Sequence, residues 1–118
     1  MIKNRNFHAQ FVDFSGLKFG NCSPTDFDCY IKLNNLFIFI ETKYMAAPMP
    51  LGQRIAFEKL CDAIENSIVF VTEHDMPASK GDIDLANTIV TEYRWKRQWI
   101  IPQNKIRLFD AIQKVTQK

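Results

Sequence analysis

Apolar and polar positions alternate most regularly on either side of a pair of asparagines, Asn34 and Asn35. Alternation with a period of two residues is typical of β-strands. Because Asn accepts a positive φ more readily than most residues, an Asn-Asn pair between two such runs favours a two-residue type I′ turn. Residues 23–44 are therefore predicted to form a β-hairpin.

Counting outward from this turn gives the register of the hairpin. Asp28 then stands opposite Glu41, and Asp26 stands opposite Lys43. Because side chains alternate between the faces of a strand, these four charged groups project from one face. The opposite face is predicted to be core, and it carries Phe27, Cys29, Ile31, Leu33, Leu36, Ile38 and Ile40.

Two carboxylates that face each other across a strand pair are unfavourable unless something neutralises them. At a Cβ separation of roughly 5 Å they can share one divalent cation, so Asp28 and Glu41 are predicted metal ligands for Mg²⁺ or Mn²⁺. Lys43, on the same face, is suited to stabilise charge that develops on a phosphate.

Two alternatives to these metal-ligand and catalytic roles stay open. Glu41 and Lys43 can simply end an edge strand in solvent with Asp28 in a turn, and Lys43 can pair with Asp26.

The rest of the pattern alternates strands and helices. Residues 7–11 alternate like a half-buried strand, with a short helix as the alternative. Residues 51–66 have helical periodicity. Residues 67–72 are a continuous apolar run, typical of a central strand. The buried face of this helix is predicted to contain Ala56, Leu60 and Ile64, with Ile55, Phe57, Cys61 and Ala63 beside them. The solvent-exposed face is predicted to contain Arg54, Glu58, Asp62 and Glu65.

The C-terminal third predicts a second hairpin and a last helix. Residues 88–93 and 98–101 are rich in β-forming residues and are separated by a turn. Asn104 is the predicted N-cap of the final helix. The buried stripe of that helix is predicted to be Ile106, Phe109, Ile112 and Val115.

Composition limits the class of protein. A chain of 118 residues with 47% hydrophobic and 24% charged residues is typical of one globular domain. The net charge of +2 neither requires nor excludes a polyanionic partner. Three cysteines without CxxC spacing suggest neither a disulfide framework nor a zinc site, and reduced thiols predict a cytoplasmic protein. The first residues lack the apolar core of a signal peptide and no run has membrane-spanning length, so no membrane association is expected.

Basic and aromatic residues are interleaved around the predicted turn of the second hairpin. The candidates for binding a phosphate backbone there are Arg94, Lys96 and Arg97, and the aromatic residues could stack on unpaired bases. The alternative is a solvated tip whose aromatics turn to the core. Lys18, in a glycine-containing loop, is a fourth candidate for nucleic-acid binding.

Four further polar residues have open roles. His74 and its neighbour Asp75 suggest catalysis or metal ligation, but a histidine in a polar loop is more often a solvated surface residue. Asp13 and Ser15 precede the hairpin, and nothing in the sequence fixes their direction.

The hairpin also resembles the PD-(D/E)XK nuclease superfamily. Pro24 and an aspartate enter its first strand, and its second strand ends with Glu41, Thr42 and Lys43. The spacing from Asp28 to Glu41 is similar to that of archaeal Holliday-junction resolvases, and residues 13–28 look like small phage-borne members. The resemblance covers about residues 13–60. The count across the hairpin selects Asp28 over Asp26 as the superfamily aspartate.

The resemblance implies a restriction-endonuclease-like α/β fold, with a mixed central β-sheet flanked by helices, in a single domain over residues 1–118. It implies a Mg²⁺-dependent endonuclease that acts on DNA, with branched or structured DNA in recombination, repair or phage DNA processing as one candidate substrate. It adds the Thr42 carbonyl as a further metal ligand and Gln53 as a catalytic residue, the alternative for Gln53 being a polar residue that starts a helix. Homodimerisation is implied by junction-cutting relatives. The alternative function is a catalytically inactive, nuclease-like nucleic-acid-binding or assembly protein.

Overall fold

The predicted hairpin turn is present, since Asn34 and Asn35 have φ angles of 53° and 69°. The computed structural model describes residues 13, 15–22, 24–77 and 80–117. The strand predicted at residues 7–11 lies outside the described residues. Residues on the two sides of the turn pair in the predicted register, from Leu33 with Leu36 to Cys29 with Ile40.

Within the described residues, five strands form one sheet, accompanied by two helices and a short 3₁₀ turn. In chain order they are β1 (Cys29–Leu33), β2 (Leu36–Tyr44), α1 (Leu51–Ala63), β3 (Ser67–His74), the 3₁₀ turn (Leu85–Asn87), β4 (Ile89–Trp95), β5 (Gln98–Ile100) and α2 (Leu108–Thr116). The strands lie side by side in sequence order. Only β2 and β3 run parallel, because α1 carries the chain back between them, and the other neighbours are antiparallel.

The two helices cover opposite faces of this sheet. On one face Ile38 and Ile40 of β2 pack with Leu108 of α2. On the other face Phe39 packs with Phe57 of α1. The domain is therefore an α/β fold with a mixed sheet flanked by helices, as predicted. Because β2 and β3 are covered on both sides, their apolar side chains are almost fully buried on both faces.

The hairpin face predicted as core is only partly core. Ile31 and Leu33 are 37% and 40% exposed because β1 is the edge strand. Phe27 packs edge-on against Phe39, with ring centroids 5.2 Å apart, and so lies on the α1 face. The prediction of burial was wrong for Ile31 and Leu33 because they lie on the edge strand, and the prediction of the face was wrong for Phe27 because strict alternation ends with the paired ladder at Cys29.

The face of α1 that was predicted to be exposed to solvent lies against the sheet instead. Arg54, Glu58 and Asp62 are half-buried against β4 and β5, whereas Ile55 and Ala63, predicted as part of the buried face, are exposed. Charged residues at a spacing of four look like a solvated stripe in sequence. Here they contact oppositely charged residues and an aromatic ring on strands that follow more than 30 residues later in the sequence.

The last helix starts later than predicted, at Leu108 rather than after Asn104. The preceding residues are extended because the Ile106 carbonyl accepts a hydrogen bond from the Val90 N–H at 3.0 Å. As a result Leu108 and Ala111 are the buried residues of α2. Phe109 and Val115, predicted in the buried stripe, are 49% and 41% exposed.

Among the described helices, none has the length and apolar content needed to cross a membrane.

Candidate functional site

The carboxylate of Asp28 lies where the β1–β2 ladder ends. The Asp28 N–H donates to the Ile40 carbonyl at 3.1 Å, and Asp28 Oδ2 accepts the Thr42 N–H at 2.8 Å. A side chain thus replaces the backbone partner that continued pairing would give Thr42. This bend turns the Asp28 carboxylate toward β2 and places its negative charge near Glu41.

Glu41 is buried although it is ionisable. It is 7% exposed, and its Oε2 lies 3.0 Å from Lys43 Nζ. Burial raises the pKa of the Glu41 carboxyl above its ordinary value and the Asp28 charge adds to this, while Lys43 opposes it. Glu41 Oε1 is buried and has no hydrogen-bond partner among the described residues. A buried carboxylate oxygen without a partner is costly, which points to a ligand at this position.

Lys43 and Gln53 complete the group. Lys43 Nζ donates to Gln53 Oε1 at 2.8 Å, and Gln53 Nε2 donates to the Asp26 carbonyl at 3.4 Å. Gln53 also lies near enough to Glu41 to oppose the rise in the pKa of the Glu41 carboxyl. The first turn of α1 therefore brings Gln53 onto the β2 residues.

Asp28, Glu41, Lys43 and Gln53, the four predicted catalytic residues, lie together on the α1 face. Lys43 pairs with Glu41 and not with Asp26, which was the alternative for this lysine. The other alternative, an edge strand ending in solvent, is wrong because β2 lies between β1 and β3 and Glu41 is buried.

Thr42, the predicted third metal ligand, directly follows Glu41 and contacts Asp28. Its N–H is taken by Asp28, and it pairs with Thr72 of β3. Its side chain is half-buried, on the face of the sheet opposite Glu41. A ligand role of the Thr42 carbonyl stays a prediction.

The donor set suits a hard divalent cation. Two carboxylates, Asp28 and Glu41, approach each other, and one Glu41 oxygen is left without a partner in the described part of the chain. No group of three or more His, Cys, Asp or Glu side chains that could hold a metal occurs among the described residues. Mg²⁺ commonly takes only one or two protein carboxylates and keeps several waters, so a two-carboxylate site is compatible with it.

A groove of about 840 Å³ adjoins this site. It lies between the loop of residues 19–26 and the start of α1, and it shares Asp26 and Gln53 with the site. Phe19, which is 73% exposed, and Lys59 of α1 also line it. The sequence did not predict this groove, because no local pattern indicates which loop packs beside a helix.

The predicted nucleic-acid contacts are dispersed. Lys18 is exposed in its loop. Arg94 is 11% exposed, because its guanidinium donates to Asp62 at 2.8 and 3.2 Å. This pairing lowers the pKa of the Asp62 carboxyl and raises that of Arg94. Lys96 and Arg97 form the β4–β5 turn with φ angles of 49° and 67°.

The β4–β5 turn lies away from Glu41. Glu41 is level with Val71, which is opposite Glu92 on β4. Lys96 follows Glu92 by four residues, so strand rise and strand spacing separate it from Glu41 by roughly 15 Å. Nucleic-acid binding by these basic residues stays a prediction.

The residues with open roles make local contacts. His74 Nδ1 accepts the Met76 N–H at 3.1 Å, and the ring of His74 lies 5.7 Å from that of Tyr44. The Asp13 carboxylate accepts the Ser15 N–H at 2.9 Å, which lowers the pKa of Asp13. These contacts describe a turn at each place and assign no chemistry.

The contacts of Arg54, the residue after Gln53, were not predicted from the sequence. Its guanidinium donates twice to Glu92, at 3.0 Å each, and lies 4.2 Å from the centre of the Trp99 ring. No short-range spacing signals this pairing, since Glu92 and Trp99 come from two later strands.

Fold and site together define an α/β domain with a buried carboxylate–lysine site on β2, an inner strand of its sheet. Comparisons with protein-family models, with curated proteins and with solved structures found no match. The resemblance to the PD-(D/E)XK nucleases therefore rests on the chain's own residues.

Proposed function

We propose that this protein is a Mg²⁺-dependent endonuclease that hydrolyses phosphodiester bonds in DNA. The observation that carries the proposal is the convergence of Asp28, Glu41, Lys43 and Gln53, with a buried Glu41 oxygen that has no partner among the described residues. A purely structural ion pair would not require a second carboxylate beside it. That carboxylate raises the pKa of Glu41 and makes the charged site harder to bury.

Each residue has a role in this proposal. Asp28 and Glu41 hold the cation, Mg²⁺ or Mn²⁺, with the Thr42 carbonyl as a further ligand. The cation supplies positive charge to the scissile phosphate and favours a nucleophilic water. Lys43 places an ammonium beside the carboxylates, where it stabilises charge that grows on phosphorus. Gln53 holds Lys43 in that position through its 2.8 Å hydrogen bond.

The groove beside Gln53 is the proposed path of the substrate. Its exposed Phe19 offers a face on which a base can stack, and Lys59 offers a charge for a phosphate. Lys18 precedes Phe19 in the same exposed loop. A small domain has little surface for a long base sequence, so backbone or shape recognition is proposed, on branched or structured DNA in recombination, repair or phage DNA processing. We further propose a cytoplasmic protein that works as a homodimer when two strands are cut.

The test is cleavage of supercoiled plasmid and of a synthetic four-way junction with Mg²⁺, Mn²⁺ or EDTA. The parent is expected to cut only with a divalent cation. Asp28→Asn and Glu41→Gln are each expected to lose roughly a hundredfold or more in rate. Glu65→Gln, an exposed acid beyond α1, is the matched control and should cut like the parent. Undiminished cutting by Glu41→Gln would show that this site is not the catalytic one.

A second outcome separates the two function classes. If the parent binds DNA but cuts no form of DNA or RNA with any divalent cation, the nuclease-like binding or assembly protein is the better description. The internal pairing of Lys43 with Glu41 is the observation that favours this alternative, because it satisfies both charges without a substrate. Calorimetric titration with Mn²⁺ then tells whether Asp28 and Glu41 still bind a metal.

A further inference from the structure

The first turn of α1 lacks the usual means of holding a helix start. Its N-cap is Pro50, which makes no side-chain capping hydrogen bond within the described residues, and the first turn contains no acidic residue. Initial N–H groups of a helix have no intrahelical partner, so an uncapped start tends to fray. Yet Gln53, in this turn, makes the contact with Lys43.

Contacts of Arg54, rather than a cap, hold the first turn of α1 in place. The Arg54 N–H donates to the Pro50 carbonyl at 3.0 Å, which closes the first turn. The Arg54 side chain makes two parallel 3.0 Å hydrogen bonds to Glu92 and stacks 4.2 Å from the Trp99 ring centre. Bidentate geometry fixes the guanidinium in direction as well as in distance.

The Trp99 ring is itself held by α1. Its Nε1–H donates to Glu58 Oε2 at 2.7 Å, one turn beyond Arg54. The Arg94 guanidinium lies farther off, 5.7 Å from the ring centre, and its hydrogen bonds go to Asp62. The ring therefore cannot turn without breaking a hydrogen bond, and it gives Arg54 a fixed surface.

From these contacts we infer that Arg54, Glu92 and Trp99 form a clamp that positions Gln53 against Lys43. The clamp touches neither carboxylate of the site, so its members are positioning residues. Its effect on catalysis rests on the proposed nuclease function. Its effect on the Gln53–Lys43 contact does not depend on any activity.

The chain provides a matched control on the same two elements. Asp62 and Arg94 form a second bidentate pair between α1 and β4, with Asp62 two turns further along the helix from the site. Breaking either pair removes one α1–β4 ion pair. Only the Arg54–Glu92 pair adjoins Gln53.

The first experiment compares Glu92→Gln with Asp62→Asn in steady-state cleavage of the four-way junction. Glu92→Gln is expected to lower kcat at least tenfold with KM changed less than twofold, because Lys43 is less often in place. Asp62→Asn is expected to keep kcat within twofold of the parent. Trp99→Phe keeps an aromatic ring beside Arg54 but loses the hydrogen bond to Glu58. Its kcat is expected to lie between those of Glu92→Gln and Asp62→Asn. Equal loss of kcat in Glu92→Gln and Asp62→Asn would overturn the inference.

The second experiment needs no activity. Amide hydrogen exchange of Arg54 and the NMR signals of the Gln53 side-chain amide report on the first turn and its contact. In Glu92→Gln the Arg54 amide is expected to exchange at least tenfold faster and the Gln53 signals to shift, with neither change in Asp62→Asn. Parent-like exchange and shifts in Glu92→Gln would refute the clamp. If the parent cuts nothing, the proposed function fails and this measurement alone decides the clamp.

Discussion

Glu41 lies on β2, an inner strand of the sheet, with a side chain that is 9% exposed, and it faces both Lys43 and the charge of Asp28. Its carboxyl has a raised pKa, and desolvation is the largest cause. An acid with a raised folded-state pKa binds its proton more tightly in the folded chain than in the unfolded one, so its ionised form lowers stability at neutral pH. Active sites commonly store unfavourable electrostatics of this kind.

The two partners of the Glu41–Lys43 pair are therefore expected to respond in opposite directions. Lys43→Met leaves a buried carboxylate without its cation and should lower the free energy of unfolding by about 2 kcal/mol. Glu41→Gln imitates the protonated acid and should leave the stability unchanged or raise it. Urea unfolding at pH 7 with EDTA measures both. A loss in Glu41→Gln as large as in Lys43→Met would contradict the view that the charge of Glu41 is unfavourable in the fold.

At the scale of single elements, what the sequence predicts depends on how local the cause is. The type I′ turn at Asn34 and Asn35 needs only two residues that accept positive φ. The register that it sets leads to Asp28, one residue beyond the paired ladder and near enough to Glu41 to raise its pKa. Three of the four catalytic candidates could thus be found by counting. Gln53 required the further step of placing α1 over the hairpin.

Non-local pairing explains what could not be predicted. Arg54 and Asp62 look like a solvated helix stripe until Glu92 and Arg94 are known to lie beneath them. The start of α2 moved from Asn104 because the intervening residues pair with β4, and β4 is distant in sequence. A capping signal can be present without being used when tertiary hydrogen bonds hold the chain extended.

The hairpin turn gives an element-scale prediction. Asn35 has φ of 69°, a conformation in which glycine has no steric cost, and Asn-Gly is the preferred type I′ pair. Asn35→Gly should therefore raise the free energy of unfolding by about 0.5 kcal/mol, and Asn35→Ala should lower it by about 1 kcal/mol. Thermal unfolding of the two variants beside the parent measures the difference. The opposite order of the two melting temperatures would mean that the turn has another geometry.

The ion pair between Asp62 of α1 and Arg94 of β4 leads to a pH prediction. Hydrogen bonds from Arg94 lower the pKa of the Asp62 carboxyl below the ordinary value of 3.8, so the folded chain favours the charged form more strongly than the unfolded chain does. The stabilisation is complete above the unfolded-state pKa and is lost as the pH falls through the lower folded-state pKa. Asp62→Asn should melt a few degrees below the parent at pH 7, and this difference should shrink below pH 3.8. A difference that stays constant down to about pH 2.5, roughly one unit below the ordinary pKa of an aspartate, would rule out a contribution from ionised Asp62.

At the scale of the whole molecule, the basic residues expected to contact DNA are spread over a domain that measures 41 × 37 × 27 Å. Lys59 lines the groove beside the site, whereas Lys96 and Arg97 form the β4–β5 turn, roughly 15 Å from Glu41. A duplex rises roughly 3.4 Å per base pair, so about four base pairs of a straight duplex span the distance from Glu41 to the turn. A short substrate that occupies the site is therefore expected not to reach the turn.

This separation predicts that substrate length decides which cations contribute. With a junction whose arms have roughly fifteen base pairs, Lys59→Ala and Arg97→Ala should each weaken binding and each reduce the slope of log K against log salt by about one. With a dinucleotide, only Lys59→Ala should do so, because an extended single strand spans roughly 6 Å per nucleotide, about twice the rise of a duplex. Fluorescence anisotropy between 50 and 200 mM salt, roughly the range over which phosphate contacts lose most affinity, measures both slopes in EDTA without cleavage. If Arg97→Ala weakens binding of the short strand as much as Lys59→Ala does, the substrate does not lie in the groove, because a strand of that length in the groove would end short of the β4–β5 turn.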